Sequence, residues 1–313
     1  MMFLAAIQTK LEPQAYATSA DFAVWIFEQT SKALATRDSA VPALIAFPEL
    51  IGLPLVFFLE RQTTATRVQD VALELLHANW HEALRLSVRH RHLAISSLLL
   101  PKAVQLHQIM LLAFGTAAKA HNAYIVAGSS FLPFVDDEAA LGQHLANARV
   151  QNVSFLFAPS GKLLSRSAKI NLTKGLERRL GLQPARLEAW QPTQTKLGLV
   201  GTLICYDGFF DSCITKADAA GTQILVQPSA NAAKWYGAWS ADPSRTEGQE
   251  WLARGTTSRI QGCEHLQVVI NPMLVGNLFD LDFEGCSSIG FNGGRETILA
   301  DSHDDFAVIA TSY

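Results

Sequence analysis

The sequence predicts an α/β protein, and three observations carry that prediction. Short apolar, partly β-branched segments of strand length alternate with longer segments whose apolar residues recur at helical spacing. Proline and glycine punctuate the joints between them. The chain is 313 residues long, with 49% apolar and 17% charged residues, enough to bury the core of one large domain or two smaller ones. Alternation of this kind favours a sheet with helices packed on it.

Phe3–Gln8 reads as the first strand, and Ser19–Thr36 as a helix with Phe22, Trp25, Ile26 and Leu34 on one face; Ser19 and Asp21 are its candidate caps. Leu44–Phe47 is a second short strand, ended by Pro48-Glu49-Leu50. A helical region then runs from about Gln62 to Asn122, broken near Pro101, into the strand Tyr124–Ala127 and the turn Gly128-Ser129-Ser130. Ala146–Ala158 and Leu163–Ala168 read as a hairpin about Pro159-Ser160-Gly161-Lys162. A polar loop from Lys169 to Pro192 precedes the apolar run Leu197–Ile204, read as a buried strand ending on Cys205. Thr222–Gln227 is a further buried strand, Gln249–Gln261 a helix and Leu266–Asn271 another strand. Short strands follow around Ser287–Phe291, Thr297–Ala300 and Ala307–Ala310. No repeat, linker or shift of composition divides the chain, so residues 1–313 read as a single domain.

Charge and cysteine usage exclude several classes of function. A net charge of -3 gives no general reason to expect nucleic acid or an anionic membrane as partner. The densest basic patch, Arg85 to His92, is interleaved with Leu86 and Val88 and reads as the wet face of a helix. Cys205, Cys213, Cys263 and Cys286 show neither CxxC nor zinc-site spacing, and in so long a chain they suggest no disulfide framework, which points to a reducing cytosol. Cys263-Glu264-His265 reads as structural, because helix neighbours in sequence do not face one another. The apolar N-terminus lacks the basic segment of a signal peptide, and the greasiest window, Leu93 to Ala118, is interrupted by Pro101, Lys102 and His107. A soluble, cytoplasmic protein is the expectation.

Three predicted strands end on groups that can react: Glu49, Lys169 and Cys205. Alone, each has an ordinary explanation: a solvated loop glutamate, a surface lysine, and a cysteine buried as a small hydrophobe. Together they suggest chemistry, because a thiol at the C-terminal lip of a buried strand faces the crevice where α/β proteins place reactions. The adjoining turn offers backbone N–H groups to a developing oxyanion.

In Phe47-Pro48-Glu49-Leu50, Ala168-Lys169-Ile170-Asn171-Leu172 and Leu203-Ile204-Cys205-Tyr206-Asp207, taken in that order, the chain resembles the nitrilase superfamily of carbon–nitrogen hydrolases. Framing pieces agree: Ala6-Ile7-Gln8, Gly128-Ser129, Asn152 with Gly161, Arg254 to Glu264, Phe283 to Ile289, and Leu299-Ala300. The resemblance covers nearly the whole chain. It implies a four-layer α-β-β-α sandwich, here with a helical insertion after the second strand at about residues 57–106, which either caps the pocket, builds an oligomer interface or adds a surface layer. It implies Cys205 as nucleophile, Glu49 as general base, and Lys169 with the Tyr206 backbone N–H as the oxyanion site. A lysine so near would also favour the thiolate. Glu177, eight positions after Lys169, matches the family's second glutamate at the spacing of its aliphatic amidases, with Glu188 the competitor.

Tyr206-Asp207 is the form of the amide-cleaving branches, whereas nitrilases commonly carry Trp-Glu. Beyond it Gly208-Phe209-Phe210 departs from the family pattern, which opens the question of what Asp207 pairs with. Phe131, Ser229, Asn231 and Trp235 are the candidate substrate contacts. The resemblance therefore implies a cysteine-dependent hydrolase of a small or medium non-peptide amide, acting through a thioester and releasing ammonia or an amine. A nitrilase, an N-carbamoyl amide hydrolase, an acyltransferase and a non-catalytic binding protein stand as alternatives. A homodimer is expected, with higher homo-oligomers open. The reaction as implied needs no metal or organic cofactor, since nucleophile, base and oxyanion cation are all side chains.

Overall fold

The computed structural model describes residues 1–60, 63–90, 100–133 and 150–313. Two large sheets form the body of the molecule. Among the described residues the first has ten strands, with Phe3–Lys10, Ala43–Phe47 and Tyr124–Ala127 parallel at its centre and Leu281–Phe283 paired on Met273–Leu278 at its margin. The antiparallel set Val150–Phe157, Leu163–Ala168 and Ser130–Pro133 continues it on one side, and Met273–Leu278, Ser229–Ala230 and Ala307–Ser312 lie on the other. The second sheet has six strands in the order Ile298–Leu299, Ser288–Phe291, Val268–Asn271, Ile224–Val226, Gly198–Thr202, Thr193–Thr195.

Strand alternation explains how the sheets stack. Leu4, Ala6, Leu44, Ala46, Tyr124 and Val126 of the first sheet join Val200, Ile224, Val226, Val268 and Ile270 of the second in one core between the sheets. The alternate residues Ala5, Ile7, Ile45, Phe47 and Ile125 face outward onto the helices Ser19–Ala33 and Leu100–His121. On the far side, Leu225 and Val269 pack against Cys213, Ile214 and Ala217 of the helix Asp211–Ala219. Period-two sequences buried on both faces thus produce helix, sheet, sheet and helix in turn, the four-layer arrangement expected.

Several boundaries differ from the sequence reading. The first long helix runs Ser19–Ala33, and its cap is Thr18, whose hydroxyl accepts from Asp21 N–H at 3.0 Å, in place of Ser19 or Asp21. The region after Pro48 forms helices Leu55–Phe58, Val68–His90 and Leu100–His121, with Pro101 in the first turn of the last, where its missing N–H leaves no bond unmade. Residues 91–92 of the basic patch, 93–99 of the greasy window and 146–149 of the predicted hairpin lie outside the described residues. The front of the predicted insertion docks on one loop: Phe57 and Phe58 pack on Phe279, and Asp280 accepts from Val68 N–H at 2.8 Å. The predicted helix Gln249–Gln261 is two, Glu247–Arg254 and Thr256–Arg259, parted at Gly255, whose ψ of 163° is extended. The strand before Cys205 stops at Thr202, so Cys205 opens a tight 3-10 turn, Cys205–Phe209. Among the described residues no helix is long and apolar enough to cross a membrane.

Candidate active site

Cys205 sits in a left-handed backbone conformation, φ 49°, which costs a non-glycine residue about 1–2 kcal/mol. Its surroundings hold it there. The Cys205 N–H donates to Pro228 O at 2.8 Å, and Gln227 Nε2 donates to Cys205 O at 2.8 Å. Gly208 makes room for this: a Cβ on it would lie 2.2 Å from Thr256 Oγ1 and 2.3 Å from Gln227 Nε2. Strain retained by several buried bonds is a mark of functional sites. The N–H of Tyr206, the next donor along, meets no protein acceptor among the described residues.

Asp207 answers the question of its pairing. It accepts from Ile204 N–H at 3.1 Å within its own turn, and from Ile170 N–H at 3.1 Å and Asn171 N–H at 2.6 Å across the cleft. The turn that carries Cys205 is thereby pinned to the segment that carries Lys169. Burial pushes this carboxyl up to about 6, against the opposing pull of Lys169 and the three N–H groups.

Glu49 follows the strand Ala43–Phe47, where Pro48 ends the ladder for want of an N–H. Leu50 is itself left-handed, φ 62°, and donates its N–H to Ser129 Oγ at 3.1 Å, while Gly52 N–H donates to Ser129 O at 3.2 Å. Gly128, φ 61°, brings that serine into place. A Cβ on Gly128 would lie 2.0 Å from Pro48 O, so this close approach admits glycine alone.

Glu49, Lys169, Glu177 and Cys205 are all buried, at 5% exposure or less, and the structure brings them together. Lys169 Nζ lies 2.7 Å from Glu49 Oε1 and 3.0 Å from Glu177 Oε2. Glu177 stands on the short helix Leu176–Arg179, and Glu188 is exposed elsewhere on the surface. Between the glutamates lies Asn152, whose Nδ2 donates at 2.8 Å to Oε1 of each. Glu177 Oε2 also accepts from Thr173 N–H at 2.9 Å. Three of the four carboxylate oxygens are thus met by N–H donors. Among the described residues Oε2 of Glu49 is met by none; the Cys205 thiol donates to Ala230 O at 3.9 Å and interacts electrostatically with Glu49.

Burial raises the Glu49 carboxyl above its ordinary value, with Glu177 adding to the effect and Lys169 opposing it. Burial works against the Lys169 charge, yet Glu49, Cys205 and Glu177 hold its proton well above the usual lysine range. The Cys205 thiol is pushed well up, first by burial and then by Glu49, and Lys169 does not offset this. Lys169 does pull toward the thiolate, as expected, but desolvation and the neighbouring carboxylate outweigh one shared cation, and the net shift of the thiol is upward.

Of the four candidate substrate contacts, Trp235 packs in the apolar cluster that contains Cys205, Ile204, Trp251 and Met273. Phe131 is buried directly across the ladder from Asn152. Asn231 has its Nδ2 at 3.4 Å from Glu284 O. Ser229 donates its hydroxyl to Gln227 O at 3.0 Å and accepts from Asn271 Nδ2 at 2.7 Å, a link between the two sheets. Sequence reasoning named Asn152 and Ser129 only as framing pieces of the resemblance, and Gln227 only as the end of a strand, with no role in the site for any of them. Gln151 and Ser154 in the same strand are polar too, so nothing set Asn152 apart.

A family model described as carbon-nitrogen hydrolase matches residues 30–255. Among solved structures, an amidase from Nesterenkonia sp. AN1 is similar with a TM-score of 0.64 at 14% identity, covering 100% of this chain and 93% of that one. A carbon-nitrogen hydrolase from Helicobacter pylori G27 is similar with a TM-score of 0.66 at 13% identity, covering 99% of this chain and 88% of that one. At such identities the likeness is one of fold. No curated protein matches.

Proposed function

This chain belongs to the carbon-nitrogen hydrolase family, and from that premise we propose that it cleaves a small or medium non-peptide amide with Cys205 as nucleophile. The observation that carries the reading is the burial together of Cys205, Glu49, Lys169 and Glu177, with Lys169 Nζ 2.7 Å from Glu49 Oε1 and 3.0 Å from Glu177 Oε2 and one oxygen of Glu49 clear of N–H donors among the described residues. A thiol that is neutral at rest needs a base at the moment of attack, and a carboxyl raised by burial is a stronger base than one in water.

The steps balance as follows. Cys205 passes its proton to Glu49 while sulfur bonds to the amide carbon, and the carbonyl electron pair moves onto oxygen. Lys169 Nζ and the Tyr206 N–H stabilise that oxyanion. Collapse breaks the C–N bond, and the leaving nitrogen takes the proton from Glu49, giving ammonia or an amine and a thioester on Cys205. Water then adds to the thioester with Glu49 again accepting a proton, and the acid leaves as the thiol re-forms. Glu177, whose two oxygens are taken up by Asn152, Lys169 and Thr173, acts as a positioning residue that keeps Lys169 fixed and charged.

The test is ammonia release from a panel of amides, nitriles and N-carbamoyl compounds, with Cys205→Ala alongside. Amide turnover that disappears in Cys205→Ala is the expected result. Turnover of nitriles alone would remove the amide assignment, and normal hydrolysis by Cys205→Ala would remove the mechanism.

A further inference from the structure

We propose that Asn152 is a positioning residue that sets both the orientation and the basicity of Glu49, a role that rests on the reading of Glu49 as the base. Asn152 touches three of the four buried groups. Its Nδ2 donates at 2.8 Å to Glu49 Oε1 and at 2.8 Å to Glu177 Oε1, and its backbone C=O accepts from Lys169 N–H at 2.9 Å. It is fully buried and paired across the ladder with Phe131, so its side chain has no aqueous alternative.

The amide's orientation follows from its neighbours. Both atoms at 2.8 Å are carboxylate oxygens, which accept only, so the NH2 group faces them. The consequence is that Oδ1 is buried with no hydrogen-bond partner. An orphaned buried acceptor is destabilising, and a residue serving only to fill space would be apolar. Asn152 keeps the polar group because two carboxylates need its two hydrogens.

Those hydrogens act on chemistry as well as on geometry. The groups facing Glu49 are Lys169 beyond the strand Leu163–Ala168, Glu177 on its short helix and Cys205 on its turn. Asn152 and Lys169 both donate to Oε1 of Glu49, which fixes the carboxylate by that oxygen and leaves Oε2 without an N–H donor among the described residues. Donation to the charged form also holds the carboxyl below the value burial alone would give it. Asn152 therefore adds to Lys169 in keeping Glu49 an anion beside a second anion.

The experiment compares the wild type with Asn152→Leu, Asn152→Asp and Asn152→Gln. Readouts are kcat, KM and the pH dependence of kcat/KM for amide hydrolysis, and the pH dependence of Cys205 alkylation by iodoacetamide, which needs no substrate. Asn152→Leu should lower kcat at least ~10-fold with KM nearly unchanged, and move the acid limb of both profiles upward by roughly 1 pH unit. Asn152→Asp, isosteric but adding a third carboxylate, should move the limb up as well, and it carries the test if the leucine variant does not fold. Asn152→Gln, which keeps the donors, should recover part of the loss. Wild-type kcat and an unmoved acid limb in Asn152→Leu or Asn152→Asp would overturn the proposal while leaving the Cys205 mechanism intact. Activity surviving in Cys205→Ala would instead mark failure of the reading beneath it.

Discussion

Replacing Gly128 by alanine should damage catalysis far more than it damages the fold. Two effects separate. The left-handed φ of 61° costs alanine about 1–2 kcal/mol wherever it occurs. The second effect is local: the new Cβ would lie 2.0 Å from Pro48 O and 2.8 Å from Ile51 Cγ2. A carbon–oxygen contact relaxes near about 3.3 Å, so Pro48 and Gly128 must part by about 1.3 Å, at an overpacking cost of about 1–3 kcal/mol. Pro48 is a backbone carbonyl one residue before Glu49, so the base moves with it. Misplacing a catalytic group by about 1 Å costs on the order of 100-fold in rate. Gly262→Ala is the matched control, with φ 83° and nothing within 4 Å of the new Cβ. Thermal unfolding and kcat for amide hydrolysis should be measured on both. Gly262→Ala should lose about 1–2 kcal/mol and keep wild-type kcat. Gly128→Ala should lose a further 1–3 kcal/mol or so and about 100-fold in kcat. Equal kcat in the two variants would refute the argument that this glycine holds Glu49 in place.

Lys169→Met leaves two buried carboxylates without their cation and should cost about 3–5 kcal/mol at pH 7. With the lysine gone, one carboxyl has a folded pKa raised above its unfolded value, so its contribution to stability is present at low pH and lost as pH rises; urea unfolding should show the deficit growing from pH 4.5 to 7, and a shrinking deficit contradicts the pairing. Glu177→Gln removes a charge that raises Glu49, so the acid limb of kcat/KM should move down in pH, opposite to the shift for Asn152→Leu. The Asp207 carboxyl, at about 6 against an ordinary 3.8, favours the folded state fully below pH 3.8 and loses that contribution by about pH 6, roughly 3 kcal/mol. The stability difference between wild type and Asp207→Asn should therefore shift toward the variant by that order between pH 4 and 6, and a constant difference would contradict it. Gln227→Leu strands the carbonyl of Cys205 and should cost about 1–3 kcal/mol, with slower alkylation of Cys205 as the specific readout.

How much of this was legible in the sequence depends on what kind of information each feature carries. A strand buried on both faces announces itself, and Tyr124–Ala127 falls where the apolar pattern puts it, while the half-exposed Leu163–Ala168 was found from the turn sequence before it. The edge strands Thr193–Thr195 and Ser229–Ala230 are too short and polar to carry a period. Glu49, Lys169 and Cys205 were legible because each follows a strand whose end is written in the chain. The roles of Asn152, Ser129 and Gln227 were not, since each acts through a partner distant in sequence that only the order of strands within a sheet brings alongside. The net direction of the Cys205 shift was not legible for a related reason. A nearby lysine is visible in a motif, but the burial that outweighs it is a property of the packed whole.

The same burial explains why the site holds two glutamates about one lysine. A dry site resists any rise in its total charge. At rest the cluster carries one positive and two negative charges, with the thiol neutral. In the proposed mechanism, attack by Cys205 makes Glu49 neutral as it takes the proton, and the carbonyl oxygen becomes negative. Lys169 then faces Glu177 and the oxyanion in place of Glu177 and Glu49. The total is unchanged, and the cation exchanges one anionic partner for another without being left alone. In that proposed exchange Glu177 is the fixed member, which accounts for the saturation of its oxygens by Asn152, Lys169 and Thr173 while Oε2 of Glu49 meets no N–H donor among the described residues.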